Sequence, residues 1–245
     1  MKPYTLSGPV FLILLWAGVT KLQLVDSFFL PDPFTTAKEL VELLTIGEIM
    51  QDFLASLQRV VLAFVIAVII GVPLGLVLGS KETFYRSTEF IIDFFRSTPA
   101  TAMFPLFFLL FGITDKSKIA VAAFTAVLII IFNTAHGVMH ARKSRLSAAQ
   151  LMGASRLQIF RWILFWESLP QTFIGLRSAV SLSLVVIIVT EMFIGTPLGL
   201  GRKIIDAQIT YEIPAMYAVI LLTGILGYLL NAIFIAIEKR FLHWS

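Results

Sequence analysis

Long apolar runs, rather than alternation, dominate the pattern along this chain. Stretches free of Asp, Glu, Lys and Arg cover Pro3–Thr20, Val60–Ser80, Ser97–Thr114, Ile119–Ala141, Ser178–Thr190 and Ile213–Ile237. A bilayer core about 30 Å thick takes roughly 20 helical residues at about 1.5 Å each. All but Ser178–Thr190 approach or exceed that length, and this one extends to Gln171 by admitting Arg177, or to Gly195 by admitting Glu191. Transmembrane barrels read as alternating segments about ten residues long, whereas these runs are apolar on every side. The pattern predicts an all-α polytopic membrane protein with six spanning helices, forming a single transmembrane domain over residues 1–245.

Three segments between the runs have a pattern of their own. Phe34–Asp52 carries Thr36 ahead of Glu39 and an apolar stripe at Leu40, Leu43 and Leu44, which predicts a short surface helix capped by Thr36. Arg142–Pro170 is the longest connection on its side and contains a helical stretch. Ile194–Ile213 is rich in glycine, with Gly195, Gly199 and Gly201 marking turns. No internal repeat, low-complexity run or soluble domain is evident.

Composition strengthens the membrane reading. The apolar set is 58% of the chain and charged residues are 14%. Counted with glycine and without tyrosine, the apolar share is about 62%, against about 45–50% apolar and 25% charged in soluble domains. A disordered, collagenous or nucleic-acid-binding chain is excluded by the scarcity of polar groups and the lack of a basic tract. The net charge of +4 fits basic anchors at a membrane face. With the N-terminus inside, ten Lys and Arg fall on the inner side and seven on the outer, and Arg142, Lys143 and Arg145 sit densely beside a span. The rule that basic residues stay inside then places both termini in the cytoplasm. The first run has a thin charged start at Lys2 and no Ala-x-Ala-like cleavage site, so it is expected to remain as the first span.

Candidate chemistry is sparse. The chain has no Cys, and its three His are at 136, 140 and 243, so neither a metal site nor a thiol nucleophile is expected. The segment Gly195–Lys203 lacks the Gly-Lys-Ser/Thr of a phosphate loop, since Leu200 follows Gly199 and Ile204 follows Lys203. No catalytic residue and no cofactor is expected. Polar groups inside spans are the better lead, because burying them in lipid is costly. Asp93 and Arg96 flank the third run; Asn133, Thr134 and His136 cluster in the fourth; Ser178, Ser181, Ser183, Thr190 and Glu191 follow in the fifth. Arg96, Asn133, His136, Arg177, Ser181 and Glu191 are the candidate lining of a translocation pathway, with interhelical hydrogen bonding as the open alternative. On charge and depth, Arg177 and His136 suit an anion. Pro73, Pro99 and Pro105 interrupt the second and third runs, as is tolerated beside neighbours or a cavity.

The 142–170 connection carries the strongest signal. It reads Ser147-Ala148-Ala149-Gln150-Leu151-Met152-Gly153-Ala154-Ser155-Arg156, then Ile159-Phe160-Arg161-Trp162-Ile163, then Pro170. Ala and Leu favour helix, Gly153 permits a sharp turn, and Ile159, Phe160 and Ile163 supply a second apolar face. This predicts two short helices about a glycine turn.

The same segment resembles the Glu-Ala-Ala loop of ABC-importer permeases, with Ala148, Ala149, Gly153 and Ile163 at matching places. Ser147 stands where that family has Glu, and Phe165-Trp166 where it has Leu-Pro. The chain is most similar to the nitrate, sulfonate, taurine and bicarbonate branch. It matches through Leu30-Pro31-Asp32-Pro33, Ser56-Leu57-Gln58-Arg59-Val60, Arg96-Ser97-Thr98-Pro99, Phe111-Gly112-Ile113, Asn133-Thr134, Glu191-Met192 and Gly199-Leu200-Gly201. The resemblance implies the type I ABC importer permease fold, in a bacterial inner membrane. It also implies that Ser147, Ala148, Ala149, Gly153, Ala154, Ser155, Arg156 and Ile159 form the coupling helix region that docks on an ATPase. The implied partners are a second permease copy, two cytoplasmic ATPase subunits and a periplasmic or lipid-anchored binding protein delivering a small oxyanion. An ion-coupled secondary transporter or channel acting without an ATPase is the alternative; it predicts related halves, which the sequence does not display.

Overall fold

The computed structural model describes residues 7–193 and 196–242, apart from the side chain of Glu48. Lys2, Gly195 and His243, which figured in the expectations above, lie outside these residues. The described chain is helical, without strands: α1 (Ser7–Lys21), α2 (Pro33–Ile46), α3 (Glu48–Gly79), α4 (Glu82–Ser97), a 3₁₀ turn (Ala100–Met103), α5 (Phe104–Phe111), α6 (Asp115–Met139), α7 (Lys143–Leu151), α8 (Arg156–Ile159), a π-helical turn (Phe160–Leu164), α9 (Phe165–Phe193), α10 (Leu200–Ile209) and α11 (Ile213–Phe241). Two compact units divide it. One comprises Met1–Ala55 and Glu191–Leu226, the other Ser56–Thr190 and Gly227–Ser245.

In the first unit, α1 is an apolar helix of 15 residues with none of them buried. Its Trp16 Nε1 donates to the Pro31 carbonyl at 2.9 Å, and Tyr217 at the start of α11 donates through its hydroxyl to the Phe29 carbonyl at 3.2 Å. Helix α2 starts earlier than expected. Its cap is Asp32, whose carboxylate accepts from the backbone N–H of Phe34 at 2.8 Å and of Thr35 at 3.1 Å. Pro33 follows at the first helical position, where a missing N–H costs nothing. Thr36, expected as the cap, is instead buried inside the helix and donates to the Asp32 carbonyl. The three hydrogen bonds from Phe34 and Thr35, with the Thr35 side chain contributing most, hold the Asp32 carboxyl below the usual carboxylate range. Gly47 ends α2 at φ 81°, a left-handed conformation that suits glycine.

The second unit is organised on α3 and α6. Small residues recur every four positions along α3, at Ala63, Ala67, Gly71, Gly75 and Gly79. A Cβ added at Gly71 would lie 2.9 Å from Ile130, at Gly75 2.6 Å from Thr134, and at Gly79 2.6 Å from the Ala135 carbonyl oxygen. Without a hydrophobic drive between helices in lipid, such close backbone approach supplies the van der Waals contact that joins them. Beyond the glycines, Arg59 Nε meets Asp115 at 3.0 Å, and Lys118 Nζ meets the same carboxylate at 3.1 Å. Arg59 near one end and Gly79 at the other pair with α6 residues in the same order, so α3 and α6 run parallel.

Parallel packing requires the chain to return between them, and α4 with α5 makes that return. The third span expected over Ser97–Thr114, with its two prolines, is a pair of helices, Glu82–Ser97 and Ala100–Phe111, bent by 95°. Thr98 and Pro99 break it, and Pro105 opens α5, since proline disfavours helix in the residue before it and removes a donor. Helix α9 runs back against α6: a Cβ at Gly175 would strike Asn133 at 2.6 Å, and one at Gly137 would lie 2.9 Å from Gln171. Helix α11 is antiparallel to α9, with Gly227 beside Leu184 and Phe173 beside Phe241. Among the described residues, four helices are long and apolar enough to cross a membrane, the bent pair adds a fifth if it is one broken span, and α1 is a shorter apolar helix. These six elements fall on the six runs read from sequence.

Candidate functional site

The 142–170 connection folds into two helices about a tight turn. Gly153 adopts φ 78°, its N–H donates to the Gln150 carbonyl at 3.0 Å, and the Ala154 N–H donates to the Ala149 carbonyl at 3.0 Å. That pair of bonds is the Schellman closure of a helix C-terminus. No heavy atom lies within 4 Å of a Cβ built on Gly153, so glycine is required there by backbone conformation and not by space. Two residues on, Ser155 starts α8: the Gln158 N–H donates to Ser155 Oγ at 3.3 Å, and the Ser155 N–H donates to Gln158 Oε1 at 2.7 Å. This reciprocal pair is a capping box, readable in the sequence as Ser-x-x-Gln although it was missed.

The knob so formed presents apolar side chains to its surroundings. Leu151 is 90% exposed and Met152 85% exposed, with Leu157 and Trp162 also outward. Ile159, Phe160 and Ile163 are half-buried. Ser147, Ala148, Ala149, Gly153, Ala154, Ser155, Arg156 and Ile159, expected from sequence as the coupling region, all lie in this knob, and Leu151, Met152 and Leu157 were not among them. Their signal is present: apolar residues flanking the glycine that fit no buried stripe. Arg145 pairs with Glu167 of α9, tying the base of the knob to that helix. A cleft of about 940 Å³ lies between the knob and the C-terminal end of α3, lined by Gly79, Lys81, His140, Leu146 and Phe160.

The polar residues of the spans fall into distinct settings. Arg96 donates to Asp93 at 2.8 Å, and its guanidinium lies 3.8 Å from the centre of the Phe132 ring. Phe132 stacks on His136 at 5.3 Å, and His136 on His140 at 4.4 Å, so Arg96 and His136 belong to one ladder along α6. Asn133 bridges α6 and α9: its side chain donates to the Ile129 carbonyl at 2.9 Å and accepts from Gln171 at 3.1 Å. Among the described residues, Thr134 Oγ1, His136 Nδ1 and Ser183 Oγ are enclosed without a hydrogen-bond partner.

On α9, Ile174, Ser178, Ser181 and Val185 form one exposed stripe. Ser178 and Ser181 donate to the Ile174 and Arg177 carbonyls, which satisfies each hydroxyl within the helix. No carboxylate among the described residues pairs with Arg177.

Glu191 belongs to the first unit and is 0% exposed. Its carboxylate accepts from the Gly201 N–H at 3.0 Å, and Asp52 accepts from the Gly199 N–H at 2.7 Å. Two acids therefore meet the N-terminus of α10, where helix dipole and free N–H groups favour negative charge. Gly199 has φ 147° and ψ 149°, a region open essentially to glycine alone, and a Cβ there would lie 2.5 Å from the Glu191 carboxyl carbon. Sequence reasoning missed Asp52, which shares this cap.

Residues 67–243 match the family described as binding-protein-dependent transport system inner membrane component. The taurine transport system permease protein TauC of Escherichia coli is 30% identical, over 95% of this chain and 86% of that protein. The nitrate import permease protein NrtB of Leptolyngbya laminosa is 33% identical, over 76% of this chain and 66% of that protein. Among solved structures, an inward-facing conformation of the MetNI methionine ABC transporter aligns with a TM-score of 0.69 at 22% identity, covering 78% of this chain and 95% of that one.

Proposed function

This chain belongs to the family of inner-membrane components of binding-protein-dependent transport systems and is the permease of an ABC importer, and on that premise we propose how it works and what it carries. Two copies pair, two cytoplasmic ATPase subunits dock on their 142–170 connections, and an external binding protein delivers the solute. Both termini lie in the cytoplasm, as the basic bias expects. The substrate is a small oxyanion, in the range of nitrate, bicarbonate, taurine or another sulfonate. Taurine and nitrate relatives support that range, as does Arg177, a cation within a span that has no acidic partner among the described residues. The catalytic work of ATP hydrolysis belongs to the partner subunits.

The observation that carries the coupling reading is the knob. Leu151 and Met152 stand almost fully exposed at the tip of a turn whose backbone is closed by its own hydrogen bonds. A contiguous apolar tip on a rigid support suits insertion into a groove of a partner. Closure of the ATPase pair pushes on Ser147–Arg161, and the Arg145–Glu167 pair passes that displacement to α9. The pathway follows the exposed stripe of α9, where Ser181 meets the solute with the half-buried Arg177 one turn before it, and Arg96 and His136 on the α6 ladder. Asn133 acts as an interhelical bridge and Glu191 as a helix cap. Affinity purification of the tagged chain from native membranes in mild detergent tests this. A soluble ATPase is expected in stoichiometric amount, and Met152→Asp is expected to release it. A lone chain that moves solute in ATP-free vesicles would sink the proposal.

A further inference from the structure

The break in the third span leaves its mark on the exposed apolar surface of the second unit. From Ala100 to Phe111 the chain covers only about 20 Å, too little to shield α3 and α6 along their length. Beside it runs a groove of about 620 Å³, walled by Leu62, Ile66 and Ile70 of α3, with Phe107 and Phe111 of α5 opposite. Its floor is the α6 surface, where Ala120 and Ala123 leave room between the larger side chains. The Phe107 ring packs against Phe111 at 6.3 Å and Phe124 at 5.8 Å, so the aromatic wall is built and held.

One lining residue is charged. Lys116, in the first turn of α6, stands at one end of the groove. It is exposed, and no acidic side chain among the described residues pairs with it. From Lys116 to Val127 the floor runs about 16 Å along α6, close to the 15 Å hydrocarbon depth of a single leaflet. A spanning helix from a second copy needs a groove about twice as long.

We infer that this groove holds an anionic phospholipid of the leaflet in which α6 begins, one acyl chain lying against α3, α5 and α6 and its phosphate meeting the Lys116 ammonium. The lipid completes the wall that the broken span leaves open, and so supports α5 and, through the bend, the Asp93–Arg96 end of α4. The inference is independent of the solute carried.

Native mass spectrometry of the delipidated transporter, purified with its partner subunits and titrated with phosphatidylglycerol or phosphatidylethanolamine, tests it. Phosphatidylglycerol is expected to be retained preferentially. Lys116→Gln is expected to weaken that retention roughly fivefold, the worth of one lysine at a membrane surface, with phosphatidylethanolamine unaffected. Ala120→Phe fills the floor and is expected to expel both lipids. Equal retention of the two lipids by the unaltered chain, or no effect of Lys116→Gln, overturns the assignment. So does a second outcome: the chain has no Cys, and Ile66→Cys cross-linking efficiently between two copies places a second copy in the groove.

Discussion

Two glycines with positive φ do different work at the scale of single residues. At Gly153 the turn demands a left-handed backbone in open space, whereas at Gly199 the demand is joined by a carboxylate packed where a Cβ would sit. The two positions therefore fail differently. Gly153→Val strains only the turn, by about 1–3 kcal/mol. The protein is expected to accumulate normally while solute moved per ATP hydrolysed falls sharply in reconstituted vesicles. Gly199→Ala must displace the buried Glu191 carboxylate from the α10 cap, and loss of folded protein in the membrane fraction is expected. Normal coupling in the first variant, or normal accumulation of the second, contradicts these roles.

Elements of this protein meet through small residues. The four-residue period of Ala63, Ala67, Gly71, Gly75 and Gly79 turns one face of α3 into a smooth track, and the Arg59–Asp115–Lys118 cluster sets its register on α6. Both cations of that cluster are buried and meet the Asp115 carboxylate, and removing that carboxylate weakens the compensation of buried charge. Gly75→Leu must push Thr134 and the Ile131 carbonyl aside. An overpacking cost of about 1–3 kcal/mol predicts a fall of roughly 5–10 °C in the thermal midpoint measured in detergent. Gly224→Leu, where nothing lies within 4 Å, is expected to shift it by no more than about 2 °C. Equal shifts would show that the α3 track is not what joins these helices.

For the whole molecule, the parallel run of α3 and α6 has a topological consequence. The α3–α4 link, the 142–170 connection and the end of α11 share one side, and the α5–α6 link lies on the other. Single cysteines report this directly in a chain that has none. Ile113→Cys is expected to react with a membrane-impermeant maleimide in intact spheroplasts, and Ser144→Cys only after permeabilisation. Labelling of both from one side would mean that the bent pair does not cross. The reverse pattern would keep the topology and invert its orientation.

The membrane class, the positions of the apolar helices and the two-helix form of the 142–170 connection were legible in sequence, because each rests on a local property. A run of apolar residues needs no partner to declare that it avoids water, and Ser155 and Gly153 act on residues at most four positions away. Other local signals were present and misread. Asp32-Pro33 outranks Thr36 as a helix start, and the four-residue period of α3 is plain once sought. What the tertiary structure alone decided is where each polar side chain inside the spans finds its partner. Asp52 and Glu191 are far apart in sequence yet cap the same helix, Asn133 is claimed by Gln171, and Arg96 lies over Phe132. The cost of a buried charge or amide depends on groups brought near by packing. One sequence position therefore reads equally well as pathway lining, helix bridge or cap until its neighbours are in place.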